Sequence, residues 1–344
     1  MNEILVVNAG SSSLKLCLIG PDDELLGSWH SLPAELPSVD IVAHRIVHGG
    51  AEFCAAVAID ADVAQRLRGL VELAPLHQAK SLAAYDDVTA LLPNATHIAC
   101  FDTAFHATIP EPAATYAIPR QWNSLYGIRR YGFHGLSHSW AGRRALRFGA
   151  DARRIVSCHL GAGASLCAIL DGVSVDTTMG FTPLEGLVMA TRSGDIDPGL
   201  VLWLSEREAD LVDVLEHRSG LLGLAGTPDM RELIERSDDD ARLAFAVYVH
   251  RLRKQIAAMA AAMGGLDTCV FTGGVGENAP AVRAAAAAGL DFLGIDIDPV
   301  ANAAASGDAQ ISAPGSRTRT LVIAAREDLE MARQARELLG LAGH

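Results

Sequence analysis

The sequence has no uninterrupted apolar run of the ~18 residues that a membrane-spanning helix needs. It has no Cys-x-x-Cys pair and no excess of positive charge. The first absence argues against a membrane partner. The six cysteines are scattered, most of them among apolar neighbours, as in Ala99-Cys100-Phe101 and Leu166-Cys167-Ala168. They read as reduced core thiols of a cytoplasmic protein, not as a disulfide framework or a metal site. Lys and Arg number 28 against 41 Asp and Glu, a formal net charge of -13. That balance argues against a sequence-independent nucleic-acid binder, whose affinity rests on basic residues facing phosphates. The start, Met1-Asn2-Glu3-Ile4, shows neither a basic n-region nor a long apolar h-region, so no secretory signal is expected. Half of the 344 residues are hydrophobic. This is too apolar for a disordered chain and, at roughly 100–200 residues per domain, suggests two domains with ample core.

The chain opens with the apolar run Ile4 to Val7, a small-residue loop Asn8-Ala9-Gly10-Ser11-Ser12-Ser13, a second apolar run Leu14 to Ile19, and then Gly20-Pro21-Asp22-Asp23. Two apolar stretches around a small-residue loop predict a β-hairpin. The pattern returns as Arg154 to Cys158, His159-Leu160-Gly161-Ala162-Gly163-Ala164-Ser165, and Leu166 to Leu170 before Asp171-Gly172. Leu16-Cys17 and Leu166-Cys167 fall in matching places, which suggests one hairpin used twice and a domain boundary near residue 150. A third glycine loop, Thr272 to Asn278, follows the apolar run Thr268 to Phe271. Segments Ala241 to Met263, Pro280 to Gly289 and Arg326 to Leu339 have helical spacing, with Gly340 as a stop. Strands alternating with helices indicate an α/β protein.

Small-residue loops let backbone N–H groups approach an anion without interference from Cβ, and three of them suggest a polyphosphate ligand. Neither the G-x-x-x-x-G-K-[ST] motif nor a G-x-G-x-x-G fingerprint is present. Dense clusters of His, Arg and Asp bracketed by Gly and Pro occur at 44–50, 73–78, 101–106, 129–138 and 191–199. Such residues make a poor core and suit a site on loops. His134 and His138 have a spacing that would put two imidazoles on one helical face, yet no Glu follows His134 as in the His-Glu-x-x-His zinc motif. A phosphate-contacting His134 with a structural His138 is the reading preferred. Ser-His-Asp hydrolysis lacks the Gly-x-Ser-x-Gly elbow.

The ordered series Asn8 to Lys15, His44 to Gly50, Leu73 to His77, Phe101 to His106, Tyr131 to His138, His159 to Ser165, Met179 to Pro198 and Phe271 to Asn278 closely resembles the acetate kinases. The resemblance covers essentially the whole chain. It implies the fold of the sugar kinase, heat-shock chaperone and actin superfamily: α/β, with two ribonuclease-H-like (actin-like ATPase) domains and a cleft between them. The implied layout is an N-terminal domain 1–150, a C-terminal nucleotide-binding domain 151–329, and a last helix, about 330–344, packing back on the first. It further implies reversible Mg²⁺-dependent phosphoryl transfer from ATP to acetate, giving ADP and acetyl phosphate, with Mn²⁺ able to substitute. A homodimer is implied as well.

Carried onto this sequence, the resemblance makes Arg45, Asp102, His134 and Arg192 catalytic. Two guanidinium forks suit phosphoryl oxygens because they are planar and permanently charged. Val47, Leu76, Phe133 and Pro183, with Arg45, match the positions that receive the acid and its methyl group. Nucleotide would be met by Lys15, by His159, Leu160, Gly161, Ala162 and Gly163, by Asp229, Met230 and Arg231, and by Gly273, Gly274, Val275, Gly276, Glu277 and Asn278. Asn8 and Glu327 would hold the metal, with Asp102 orienting its waters. His77 would line the same region, and Ser11 and Ser13 would lie near the path of the phosphate. The sequence departs from the family at Ala162, where members usually carry Asn, and at Ala325-Arg326-Glu327-Asp328, where Thr-Asn-Glu-Glu is usual. The stretch between Lys15 and Arg45 is also shorter. The rival readings are a kinase for propionate or another short-chain acid, and, more remotely, a non-catalytic actin-like nucleotide-binding protein.

Overall fold

The computed structural model describes residues 3–10, 14–149 and 152–341, except for the side chains of Pro75 and Leu76. The chain forms two compact units. Unit 1 comprises Met1–Ala107, Phe133–Trp140 and Arg326–His344, and unit 2 comprises Thr108–Gly132 and Ala141–Ala325.

Unit 1 is built on a six-stranded sheet of β1 (Ile4–Ala9), β2 (Leu14–Ile19), β3 (Leu25–Trp29), β4 (Ile41–Ile46), β5 (Val57–Ala58) and β6 (Thr96–Phe101), in the order β3-β2-β1-β4-β6-β5. β1 pairs antiparallel with β2 and parallel with β4, which is parallel to β6. Successive side chains of a strand point to opposite faces, and both faces here are covered. Ile4, Val6, Ile41, Ala43, Ile98 and Cys100 pack with Leu329, Met331, Ala332 and Ala335 of the helix Glu327–Leu338. Leu5, Val7 and Val42 pack with Val88 of the helix Pro75–Leu91. This double coverage explains the unbroken apolar run at Ile4 to Val7, which alternation alone would not require.

Unit 2 repeats the plan. Its strands β7 (Arg154–Leu160), β8 (Ala164–Leu170), β9 (Val173–Thr177), β10 (Thr268–Thr272), β11 (Ala309–Gln310) and β12 (Arg319–Val322) follow the order β11-β12-β10-β7-β8-β9. Read from the other edge, this is the strand order of unit 1, with the same parallel and antiparallel pairings. The two hairpins match in detail. Cys17 faces Val6 across β1 and β2, Cys167 faces Ser157 across β7 and β8, and each second strand carries one register shift on its outer side. The repeated hairpin is thus one element of a repeated α/β unit. The helix Asp239–Ala262 packs on β7 and β8, and its buried residues include Ala241, Ala244, Tyr248, Leu252, Ile256 and Met259. Its N-terminus is capped by the Asp238 side chain, which accepts from the Ala241 amide at 3.0 Å.

Two details differ from the sequence reading. The segment Gly273–Asn278 is a one-and-a-half-turn helix entered directly from β10, not an open loop. The glycine at its start supplies the left-handed turn (φ +78°) that a strand-to-helix switch needs there. His134 and His138 do not share a helical face either. His134 precedes the helix Gly135–Ala145 with φ +57°, outside the right-handed region.

Candidate active site

In unit 1 three predicted residues stand at the carboxyl ends of adjacent parallel strands. Asn8 lies near the end of β1, Arg45 near the end of β4, and Asp102 one residue past β6. The register of β4 on β6, with Arg45 opposite Cys100 and Ile46 opposite Phe101, puts the Asp102 carboxylate within reach of Arg45. Arg45 Nε donates to Asp102 Oδ1 and Oδ2 at 3.0 and 3.1 Å, and Nη2 donates to Oδ2 at 2.5 Å. Its Nη1 donates to Asn8 Oδ1 at 3.2 Å, and Asn8 Nδ2 donates in turn to Glu327 Oε2 at 3.0 Å. A guanidinium carries five N–H bonds. This arrangement occupies three of them and leaves one N–H on each Nη, the edge suited to a phosphoryl or carboxylate oxygen pair.

The electrostatics are lopsided. Burial opposes the charge on Arg45, but the pull of Asp102, then of Glu327, and the hydrogen bonds to Asp102 outweigh it and hold the guanidinium firmly protonated. Asp102, its side chain only 2% exposed, is pushed above the ordinary carboxylate range by burial; Arg45 works against that push and Glu327 adds to it. Two carboxylates thus share one guanidinium, and the cluster has room in its charge balance for another cation. Among the described residues no group of three His, Cys, Asp or Glu side chains converges as a metal cage. A hard cation that keeps most of its waters needs only one or two carboxylates, so the Glu327–Asn8 corner fits such an ion.

The turn bearing His134 is tied to this cluster by backbone: Gly135 N–H donates to the Asp102 carbonyl at 2.8 Å. Phe133, 2% exposed, is held from two sides. His106 Nε2 lies 3.0 Å from the Phe133 carbonyl, and the His48 ring meets the Phe133 ring edge-on at 5.6 Å. A carbonyl only accepts, so His106 carries its proton on Nε2. Burial lowers the pKa of His106 to about 4, against the pull of that carbonyl, and that of His48 to about 4 as well. Val47 is buried just past β4. Beyond it, His48 exchanges two hydrogen bonds with the buried Gln78: His48 N–H to Oε1 at 3.0 Å and Nε2 to the His48 carbonyl at 3.1 Å. His77 sits in the first turn of Pro75–Leu91. Lys15 lies on β2 opposite Asn8, with its side chain exposed. The side chain of Leu76, and Ser11 and Ser13, fall outside the described residues.

Unit 2 holds the remaining positions. His159 and Leu160 end β7, and Gly161, Ala162 and Gly163 form the turn into β8, with Ala162 exposed. Gly273 lies so close to the Leu160 backbone that an added Cβ would sit 2.8 Å from its carbonyl oxygen. That approach sets the His159–Gly163 turn beside the Gly273–Asn278 helix. Asp229 caps the helix Met230–Glu235, accepting from the Arg231 amide at 2.9 Å and pairing with the Arg231 guanidinium at 2.7 Å. Arg192 Nη1 donates to the Pro183 carbonyl at 3.2 Å, and burial lowers its pKa, with Glu216 opposing.

Two supporting residues were not singled out from the sequence, Arg283 and Gln255. Arg283, 1% exposed, donates to the Gly276 and Glu277 carbonyls at 2.9 and 2.8 Å and to Asn302 Oδ1 at 2.7 Å, fixing the end of the Gly273–Asn278 helix. Asp195 accepts from the Gly186 amide at 2.8 Å and from Gln255 Nε2 at 3.0 Å. An arginine inside an Ala-rich helix was the one signal available for Arg283; nothing local pointed to Gln255.

The sequence matches the Acetokinase family over residues 21–333. It is 41% identical over 327 residues to an acetate kinase of Carboxydothermus hydrogenoformans, covering 92% of this chain and 82% of that protein. A crystal structure of the acetate kinase of Porphyromonas gingivalis is similar at a TM-score of 0.90 and 34% identity, covering 98% of this chain and 100% of that one. A propionate kinase from Francisella tularensis is similar at the same TM-score of 0.90, 34% identity and the same coverage. With a family match across most of its length, and relatives above 40% identity, the chain belongs to the acetokinase family.

Proposed function

We propose that this protein is an acetate kinase, catalysing ATP + acetate ⇌ ADP + acetyl phosphate. Family membership supports the reaction class, and the observation that carries the chemistry is the hydrogen-bonded chain Asp102–Arg45–Asn8–Glu327. Acetate is ionised at neutral pH, so the nucleophile needs no general base. One of its carboxylate oxygens attacks the γ-phosphorus, the bond to the β–γ bridging oxygen breaks, and ADP leaves with the electron pair. Catalysis is then positioning and charge stabilisation of a loose phosphoryl group.

Asp102 and Asn8 fix Arg45 so that its remaining fork engages phosphoryl oxygens without reorganisation. Arg192 supplies a second fixed charge, and His134 a hydrogen bond to the same group. Val47, Leu76, Phe133 and Pro183 receive the acyl chain. Nucleotide is taken by Lys15, His159–Gly163, Asp229–Arg231 and Gly273–Asn278. Glu327 and Asn8 would hold a divalent cation, Mg²⁺ with Mn²⁺ as substitute, and when bound it would neutralise phosphate charge. The protein acts in the cytoplasm, in keeping with its six free cysteines. It works as a homodimer, a reading supported by the exposed Leu202, Trp203 and Val212 of unit 2.

An acetyl-hydroxamate assay with ATP, Mg²⁺ and acetate tests the reading, with hydroxamate expected. Nucleotide binding without hydroxamate would instead favour a non-catalytic protein. Propionate should also react, with kcat/KM lower by roughly tenfold or more, since one methylene is worth ~1–3 kcal/mol in such a pocket. The similarity to a propionate kinase makes that ratio the measurement to take first. Light scattering on the purified chain decides the dimer.

A further inference from the structure

The segment Phe181–Glu185 in unit 2 is tied at both ends to one atom, the phenolic oxygen of Tyr116. The Phe181 N–H donates to this oxygen at 2.9 Å, and the Tyr116 hydroxyl donates to Glu185 Oε2. Tyr116 lies about seventy positions upstream in the chain, in no motif that suggests chemistry. The other oxygen of Glu185 accepts from Arg130 Nη2 at 2.5 Å, and Arg130 Nη1 faces the carbonyls of Thr177, Thr178 and Met179 at 3.1–3.3 Å. The Arg130 guanidinium lies 5.7 Å from the centre of the Tyr116 ring. A Cβ on Gly180 would collide with both the Glu185 carboxylate and the Tyr116 hydroxyl, so glycine at that position lets the three groups close up. Pro183 is the middle residue of the tied segment, and its carbonyl is the acceptor for Arg192 Nη1 at 3.2 Å.

We infer that Tyr116, Glu185 and Arg130 are positioning residues: they staple the Phe181–Glu185 segment so that Pro183 holds Arg192 in register. The inference rests on the acyl-kinase reading, in which Arg192 serves the phosphoryl group and Pro183 borders the acyl chain. It adds that one phenol sets both. The staple is stable over the working range, because burial and the neighbouring Glu185 push the Tyr116 hydroxyl well above its ordinary pKa and keep it a donor. Small misplacements of a transition-state charge are costly, so a loosened staple acts on kcat before it acts on the fold.

The test uses the full chain with Tyr116→Phe, which retains the ring and removes the shared oxygen. The expected result is a fall in kcat for acetate of about tenfold, an unchanged nucleotide KM, and a reduced preference for acetate over propionate. In an Arg192→Lys background the same change should cost less than about twofold, because its effect passes through Arg192. Hydrogen exchange of a peptide spanning residues 178–186 should quicken in Tyr116→Phe, a readout independent of activity. Glu185→Gln, which preserves shape, should give a smaller loss in the same direction. Equal costs in the two backgrounds, or exchange unchanged at 178–186, would overturn the staple. If the unaltered chain forms no acyl hydroxamate, the kinase reading falls first and the catalytic role of the staple falls with it. If hydroxamate forms normally and the costs are equal, the staple alone is wrong.

Discussion

Three non-glycine residues among those described have positive φ: Asp23, His134 and Asp171. Asp23 and Asp171 occupy the corresponding hairpin turns, between β2 and β3 and between β8 and β9, where Asp is tolerated and the turn explains the conformation. His134, at φ +57°, lies in no strand hairpin; it leads directly into the helix Gly135–Ala145. A side chain held there costs about 1 kcal/mol, and its backbone is pinned through Gly135 N–H to Asp102 and through the carbonyl of Phe133 to His106. Strain maintained next to Asp102 and Arg45 fits an imidazole placed for function. His134→Asn, which keeps a residue type that accepts this conformation, should leave the melting temperature within about 2 °C while kcat falls at least tenfold; calorimetry and the hydroxamate assay read the two halves. Ala162 gives the opposite case. Its methyl is exposed at the turn between β7 and β8, so Ala162→Asn fits without repacking and adds an amide donor beside the proposed nucleotide phosphates. One hydrogen bond of about 1 kcal/mol should tighten ATP about fivefold by titration calorimetry. Equal or weaker affinity would show that the phosphates do not pass this turn.

At the scale of elements, the turn from β10 into Gly273–Asn278 separates two adjacent glycines by physics alone. Gly273 combines φ +78° with a backbone contact to Leu160, whereas a Cβ on Gly274 meets nothing within 4 Å. Gly273→Ala should therefore cost ~2 kcal/mol or more, from strain and from prying β7 away from the turn. Gly274→Ala should be neutral or gain up to ~1 kcal/mol of helix propensity. Denaturant titrations of the two variants make the comparison, and equal stability would contradict the geometry. This turn also shows how far the sequence could be read. The hairpins were legible because β1 with β2, and β7 with β8, are local pairs whose apolar runs and turn residues carry their own signal. The clusters around Arg45, His134 and Arg192 were legible as dense polar motifs. Their partners carried no local signal: the Asn8–Glu327 pair, 319 residues apart, was expected only through the family resemblance, and the pairs Arg130–Glu185, 55 apart, and Tyr116–Glu185, 69 apart, were not expected at all. Such partners are chosen by which strand ends become neighbours, and one local sequence pattern cannot encode that. The helical state of Gly273–Asn278 was missed for a related reason: three glycines in six residues have low helix propensity, and packing against β7 and β10 overrides it.

For the molecule as a whole, buried imidazoles set the response to acid. His44, His48 and His106 all lie in unit 1. Burial lowers the pKa of His44 to about 3, with His97 adding to the effect, and those of His48 and His106 to about 4. In the unfolded chain each would titrate near 6.5. Above that pH both states are neutral and the histidines make no difference. Between 6.5 and about 4 the unfolded chain binds protons that folded unit 1 refuses, so stability is lost as the pH falls. Each imidazole contributes about 1.4 kcal/mol per pH unit to that slope. Asp102, held above the ordinary carboxylate range, works in the opposite sense and only partly offsets them. The Arg153–Asp171, Arg154–Asp267 and Arg236–Asp238 pairs of unit 2 belong to another window. Hydrogen bonds from arginine depress these exposed or largely exposed carboxylates, so their small contribution is present above about 3.8 and lost only below it. The four tryptophans allow unit 1 to be followed alone. Trp122 and Trp203, in unit 2, are half-exposed; Phe at both positions keeps an apolar ring, including on the proposed dimer surface at Trp203, and leaves Trp29 and Trp140 to report on unit 1. Urea unfolding of that variant should show stability falling steadily from pH 6.5 to 4.5. His106→Gln keeps a donor for the Phe133 carbonyl but cannot take up a proton, so it should remove about one proton's share of the slope. A profile that is flat over this range, or a slope that His106→Gln leaves intact, would mean that water reaches these rings and that the Phe133–His134 turn is not the dry, pinned element its hydrogen bonds describe.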